Sequence, residues 1–270
     1  VTAMIHAIRA ELTKALSLPS VQLMLAALTA LHVLIMSMNM PNIRDSLANI
    51  TADGRIEFYG GQLVPAEQFL AELIVAFTFQ GVMFIWVIGA VATGTEFRSG
   101  QIGQSLLTVP SRPRIVAAKA LAIALISLAM GVLLALVSIG ITYFTVRAWD
   151  SSFLWNEEAL IGHGRMIFIA IAMNLIALAV TLIARRTLVG IIAMAVFLGL
   201  TMTQVVALIS PTVDALLPVS ALRNLLFADV VGEVIPPLTA GPEHALITLT
   251  AWAIIPLIVA VIVLRRRDAR

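Results

Sequence analysis

Cysteine is absent from this 270-residue chain, which excludes a disulfide framework, thiolate-ligated zinc and iron–sulfur clusters. Charge is scarce as well. Asp, Glu, Lys and Arg supply 12% of the residues, about half their share in an ordinary soluble domain. With 60% hydrophobic residues and a mean hydropathy of +1.03, too little polar surface remains for a water-soluble fold of this length. An integral membrane protein is expected. Lysine occurs only as Lys14 and Lys119, and neither lies in a Gly-x-x-x-x-Gly-Lys-Ser/Thr phosphate-binding loop. His6, His32, His163 and His244 are scattered, without a His-Glu-x-x-His pair, and no Gly-x-Ser-x-Gly elbow exists. The chain is therefore expected to be no enzyme and to bind no metal or cofactor of its own.

What the sequence has is long apolar runs. Six windows carry no Asp, Glu, Lys or Arg: 15–43, 73–95, 120–146, 166–184, 187–213 and 244–264. A helix crossing a hydrocarbon core of about 30 Å needs about 20 residues, so each window spans once and none spans twice. The runs are continuous rather than alternating every second residue, which points to helices and not a β-barrel. The expectation is an all-α integral membrane protein with six transmembrane helices, forming one domain over 1–270. The first window begins too late and runs too long for a secretion signal, and is read as a retained span.

Basic residues favour the cytoplasmic side of short loops. With both termini inside, Arg9, Lys14, Arg98, Arg112, Arg114, Lys119, Arg185, Arg186 and the C-terminal arginines fall inside against only Glu11, Glu96 and Asp268. Most acids fall outside. N- and C-termini are thus expected in the cytoplasm, and the high isoelectric point reflects this asymmetry rather than a nucleic-acid partner. Ahead of the first span, Ile5, Ile8, Leu12 and Ala15 recur at helical spacing while Arg9, Thr13 and Lys14 lie elsewhere on the wheel. Residues 1–19 are expected to form an amphipathic interfacial helix, stopped at Ser17-Leu18-Pro19.

The inner loop 94–114 is the most informative stretch. Ile102, Leu106 and Val109 share one face of a short helix that Pro110 ends, while Gly94, Gly100 and Gly103 permit sharp turns around it. Glu96 and Arg98 sit at the membrane boundary, where they are expected to fix the loop through hydrogen bonds or a partner contact. The run Glu96-Phe97-Arg98-Ser99-Gly100, then Leu106-Leu107, Pro110-Ser111-Arg112 and Lys119, resembles the loop between spans two and three in permease subunits of type-2 ABC exporters. The N-terminal Arg9-Ala10-Glu11-Leu12-Thr13-Lys14 is similar to the start of that family.

The resemblance implies a subunit that pairs with a second permease copy or paralogue and engages a separate cytoplasmic nucleotide-binding ATPase, on which ATP and Mg are bound. It implies that Gly100 to Pro110 is the coupling helix, that Glu96, Phe97, Arg98, Gly100, Ile102, Leu106, Val109, Pro110 and Arg112 belong to the ATPase-coupling region, and that the N-terminal helix joins it. The setting implied is a multi-pass protein of a bacterial cytoplasmic membrane, surrounded by lipid.

Between the last two spans, 211–243 is rich in proline, with apolar patches too short to span that are read as possible re-entrant pieces and with Asp214, Asp229 and Glu233 expected at the aqueous face. The Gly60-Gly61 pair argues against a folded unit within the other outer loop, 41–67. Within the spans Gln80, Asn174, Thr201, Thr203 and Gln204 are the main polar side chains, read either as helix-packing groups or as a substrate path. No Asp, Glu, Lys or Arg lies deep in any window, which disfavours an ion-coupled secondary carrier. A nearly charge-free interior suits an amphiphilic cargo: a drug, a hydrophobic peptide or a lipid-like molecule. A secondary carrier and a non-transporting scaffold or sensor are the alternatives.

Overall fold

In a computed structural model the chain is a helical bundle, described for residues 2–58, 61–108, 111–229 and 237–266, with the backbone alone for Thr2, Phe58 and 105–108. Val109, Pro110, Glu233, Pro236 and the last four residues lie outside the described residues. Helix α1 (Thr2–Ser17) is followed after Leu18 by α2 (Pro19–Ala48), whose proline occupies the first helical turn, where no N–H partner is needed. Then come α3 (Ala66–Val82), α4 (Val87–Ser99), α5 (Gln101–Thr108), α6 (Arg112–Val146), α7 (Glu157–Ala184), α8 (Thr187–Met202), three short helices α9 (Val205–Ile209), α10 (Pro211–Asp214) and α11 (Pro218–Leu226), and α12 (Pro242–Arg266).

Among the described residues, five helical stretches are long and apolar enough to cross a membrane: α2, α3 continued by α4, α6, α7 and α12. The expected fifth window behaves differently. Its helix α8 has 16 residues, about 24 Å, and ends where Gln204 takes a left-handed backbone, so 187–213 is not one continuous spanning helix. Apolar composition alone carried that window; the break at Thr203-Gln204 comes from local backbone geometry that composition does not record.

The loop 41–67 also departs from expectation. Helix α2 runs through Pro41, losing one hydrogen bond, and continues to Ala48. Strands β1 (Arg55–Phe58) and β2 (Gln62–Pro65) then pair antiparallel, with Ile56 opposite Val64. The alternation in both strands turns Ile56 and Val64 inward onto Ala66, Ile50 and Phe69, making a small apolar cluster. Gly61, at a φ of 83°, takes the left-handed conformation that the tight turn needs. Of the glycine pair, Gly61 leads into β2 of this hairpin, and Gly60 lies outside the described residues.

The core is divided along the bundle. One apolar cluster holds Val21, Val82, Ile85, Ile123, Leu134, Met166 and Leu178, and a second holds Met36, Met40, Leu70, Ile74, Phe153 and Ala159 near the hairpin. A third packs α11 and α12 against α7, and α11 is buried along its whole length by protein rather than lipid. Ala15 of α1 and Leu264 of α12 both belong to the first cluster. Helix α7 is the hub, flanked by α3, α4, α6, α8 and α12. Asn156 caps its start by accepting the Ala159 N–H at 2.9 Å, and Glu157 and Glu158 complement its dipole.

Candidate functional site

Glu11 and Lys14 stand three residues apart on one face of α1, and Glu96 lies in the last turn of α4. That helix ends at Gly100, whose left-handed backbone (φ 74°) swings the chain directly into α5. After α5 the chain enters α6 at Ser111, and Lys119 follows two turns later on its buried face. The Lys119 ammonium donates to Glu11 Oε2 at 2.5 Å and to Glu96 Oε1 at 2.5 Å. Lys14 pairs with Glu11 and reaches Glu96 Oε1 at 3.6 Å. The side chains of Lys119 and Glu96 are each 4% exposed, and that of Lys14 is 28% exposed.

Two acids and two bases thus neutralise one another in a site where only Lys14 is appreciably exposed. Burial is the largest influence on Glu11 and pushes its carboxyl up, but Lys119 and then Lys14 more than offset it and hold the group below the ordinary carboxylate range. A cavity of about 10 Å³ borders the cluster, lined by Glu11, Thr93, Glu96, Lys119 and apolar neighbours. Glu96 Oε2 and Thr93 Oγ1 are buried without a hydrogen-bond partner among the described residues. An ion-pair network of this kind adds little net stability over an apolar core, because desolvation opposes the attraction. What it does is fix geometry: α1, the end of α4 and the start of α6 are locked together on either side of α5. The described residues hold no group of three or more metal-ligating side chains.

Around this cluster the expected coupling residues separate. Phe97 is half-buried against the central cluster, Arg98 is exposed, and Arg112 opens α6. Ile102 is 5% exposed and packs within the chain, so it does not present itself to a partner; Gln101 and Gln104 face outward on the first turns of α5. Leu106 lies in the α5 backbone. On α1, Arg9 is exposed, and the buried face runs through Ala7, Glu11 and Ala15 while Ile5 is half-exposed. The helix is turned from the expected apolar stripe because the Glu11 to Lys119 pair draws Glu11 inward.

The five polar span residues do not converge on one path. Gln80 is exposed on the outside of α3. Asn174 is buried between α7 and α4, accepting the Gly89 N–H at 2.8 Å. Thr201 meets Ser220 at 3.0 Å, Gln204 donates to the Thr201 carbonyl at 2.6 Å, and Thr203 is exposed with its hydroxyl turned onto Gly199 O. Asp214, expected at the aqueous face, is buried. It accepts from Ser220 at 2.8 Å and from Thr239 at 3.0 Å, and Asn224 ties Thr239 back to α11. Asp229 does lie at the surface, paired with Arg165 at 2.5 Å. Larger recesses among the described residues include a groove of about 710 Å³ between α1, α2 and α6, almost wholly apolar, and a cleft of about 330 Å³ between α3, α7 and the end of α11.

Sequence reasoning placed Glu96 and Lys14 at the boundary but missed that Lys119, 108 residues from Glu11, joins them. A lone lysine at the edge of a long uncharged run was the available signal. No protein-family model and no curated protein matches the chain.

Proposed function

We propose that this chain is the membrane-spanning, non-catalytic subunit of an ATP-driven exporter of the type-2 ABC kind, working in a bacterial cytoplasmic membrane. The observation that carries the reading is the Glu11, Lys14, Glu96 and Lys119 cluster, which makes α1, α4 and α6 one mechanical unit beside α5. A push on α5 by a cytoplasmic ATPase would be passed through Gly100 and this cluster to three helices at once. The outward residues Gln101 and Gln104 form the contact. Ile102 holds α5 on the bundle, while Arg98 and Arg112 flank it. ATP and Mg stay on the ATPase.

In this reading the chain crosses the membrane six times, with α8 as a short fifth crossing, and both termini lie in the cytoplasm. Gln80, an amide on the outer surface of a long apolar helix, is costly against lipid and supports a second permease copy or paralogue on that face. The apolar groove between α1, α2 and α6 suits an amphiphilic cargo arriving from the inner leaflet.

The test is purification of the C-terminally tagged chain from its native host in mild detergent. A nucleotide-binding subunit in stoichiometric amount, hydrolysing ATP, is the expected result, with hydrolysis uncoupled by joint Ile102→Asp and Leu106→Asp substitution. A chain that purifies alone and hydrolyses no ATP overturns the reading in favour of an ion-coupled carrier or a scaffold.

A further inference from the structure

The groove between α1, α2 and α6 is a hydrocarbon surface that the described chain leaves uncovered. Leu12 and Leu16 of α1, Leu25 of α2 and Leu125 of α6 wall it, while the small Ala26 and Ala129 give it depth. Leu16 and Leu125 keep 44% and 46% of their surface exposed. The hydroxyl among the lining side chains, on Thr29, is turned onto the Leu25 carbonyl at 2.9 Å. Where α1 stops, the Gln22 amide donates to the Leu16 carbonyl at 2.8 Å and the Ser17 hydroxyl to the Lys14 carbonyl at 2.9 Å, so the carbonyls freed there are met within the chain. The groove thus asks for an apolar occupant, and its volume of about 710 Å³ is that of a small-molecule site.

Charge at one end of the groove is one-sided. Helix α1 and the first two turns of α6 carry Arg9, Lys14, Arg112, Arg114 and Lys119 against a single acid, Glu11. Glu11 and the neighbouring Glu96 are taken up by Lys14 and Lys119, which leaves the arginines in surplus. Arg9 precedes Leu12 by three residues and Leu16 by seven, so it stands exposed on the groove face of α1, one turn beyond Leu12. On α6, eleven residues, close to three whole turns, separate Arg114 from Leu125. Both therefore lie on one side of that helix, about 16 Å apart along its axis, with the exposed Leu121 between them. Glu11 is bonded to Lys119, and further along both helices Leu12 and Leu16 share the groove with Leu125. Going back along α1 and α6 from the groove leads to Arg9 and Arg114 at the same end.

A trough of leucine and alanine that leads to guanidinium groups matches a molecule with a hydrocarbon tail and an anionic head. The planar fork of arginine binds phosphate oxygens two at a time, and a base near a membrane surface attracts anionic lipid. We propose that the groove between α1, α2 and α6 is a binding site for an anionic phospholipid, with an acyl chain along Leu16, Leu25 and Leu125 and the phosphate at the Arg9 and Arg114 end. A second copy of the chain suits this surface less well, because a two-fold contact would set its own surplus of arginines against this one. The inference names the class of amphiphile for the groove that was given to cargo above. It rests on the bilayer setting of that reading and not on an ATPase.

The test places the full-length chain, without a partner, in nanodiscs of equal parts phosphatidylcholine and phosphatidylglycerol with the same acyl chains. Native mass spectrometry then identifies the lipid that stays bound. Phosphatidylglycerol should be retained with about tenfold preference. Joint Arg9→Gln and Arg114→Gln substitution should bring the two lipids to parity, whereas Arg186→Gln, at an exposed base ahead of α8, should leave the preference as it was. Joint Ala26→Leu and Ala129→Leu substitution fills the groove at two exposed positions outside the core and should abolish retention of either lipid. Equal retention of both lipids by the unaltered chain, a preference that falls as much with Arg186→Gln, or retention unaffected by the filled groove overturns the proposal. So does a dimer that the filled groove splits, which would give the surface to a second copy. Co-purification of an ATPase decides the exporter reading separately, so either can fail alone.

Discussion

Asn174 on α7 accepts the backbone N–H of Gly89 on α4 at 2.8 Å, beside the break between α3 and α4. Through the break, Ile85, Val87 and Ile88 bond to carbonyls three residues back, leaving Gly89 N–H to be met from outside the helix. Gly89 itself permits the approach, because a Cβ there would overlap the Asn174 carbonyl. The amide thus secures the one irregular point in a stretch of 34 residues. Asn174→Leu should leave that N–H buried and unpaired, costing about 1–3 kcal/mol, and thermal unfolding in detergent measures it. A substitution without effect on the midpoint would mean that water replaces the amide.

Lys119→Met should be more damaging than removal of the whole cluster. The single change strands Glu11 and Glu96, with only the partly exposed Lys14 left to pair with them, at an expected cost of about 3–5 kcal/mol. Combining it with Glu11→Gln and Glu96→Gln should recover most of the loss, because neutral groups of similar volume need no counter-charge. Equilibrium unfolding of the two variants side by side decides it, and equal losses would show that the lysine acts through packing alone.

The attachment of α1 should weaken in acid. Glu11 is held below its ordinary value of 4.5 in the folded chain, so its contribution is complete above that value and lost as pH falls through the lower folded one. Hydrogen exchange of the α1 amides should therefore accelerate below about pH 4 relative to α7, and Glu11→Gln should remove that difference. Parallel acceleration in both helices would place the acid response elsewhere.

Asp214→Ala should loosen the segment that follows α8. It removes the acceptor of both Ser220 and Thr239, which together hold α10, α11 and the strand of chain before α12, and an expected loss of about 1–3 kcal/mol follows. Asp214→Asn, which keeps an acceptor oxygen, should lose less. Proteolysis in the segment between α11 and α12 is a direct readout, with the alanine variant cut first.

Apolar runs need no partner to be recognised, so five of the six long windows were legible: a stretch of about 20 uncharged residues has few alternatives to a membrane helix, whatever it packs against. The helix ahead of the first long run and the short helix after Gly100 were equally local matters of spacing. The β-hairpin was missed although Ile56, Val64 and Gly61 carried its pattern, because glycine pairs serve tight turns and loose linkers alike.

The sequence by itself determined that this is a helical chain with long apolar stretches and a strong charge asymmetry between its loops, since hydrophobicity and charge are properties of each residue alone. Only the tertiary structure decided which face of α1 turns inward, that Lys119 gathers Glu11 and Glu96, that Asn174 meets Gly89, and that Asp214 is buried. The physical reason is that a polar group in a dry interior is stable only against a matching partner, and the partner is chosen by how the helices pack.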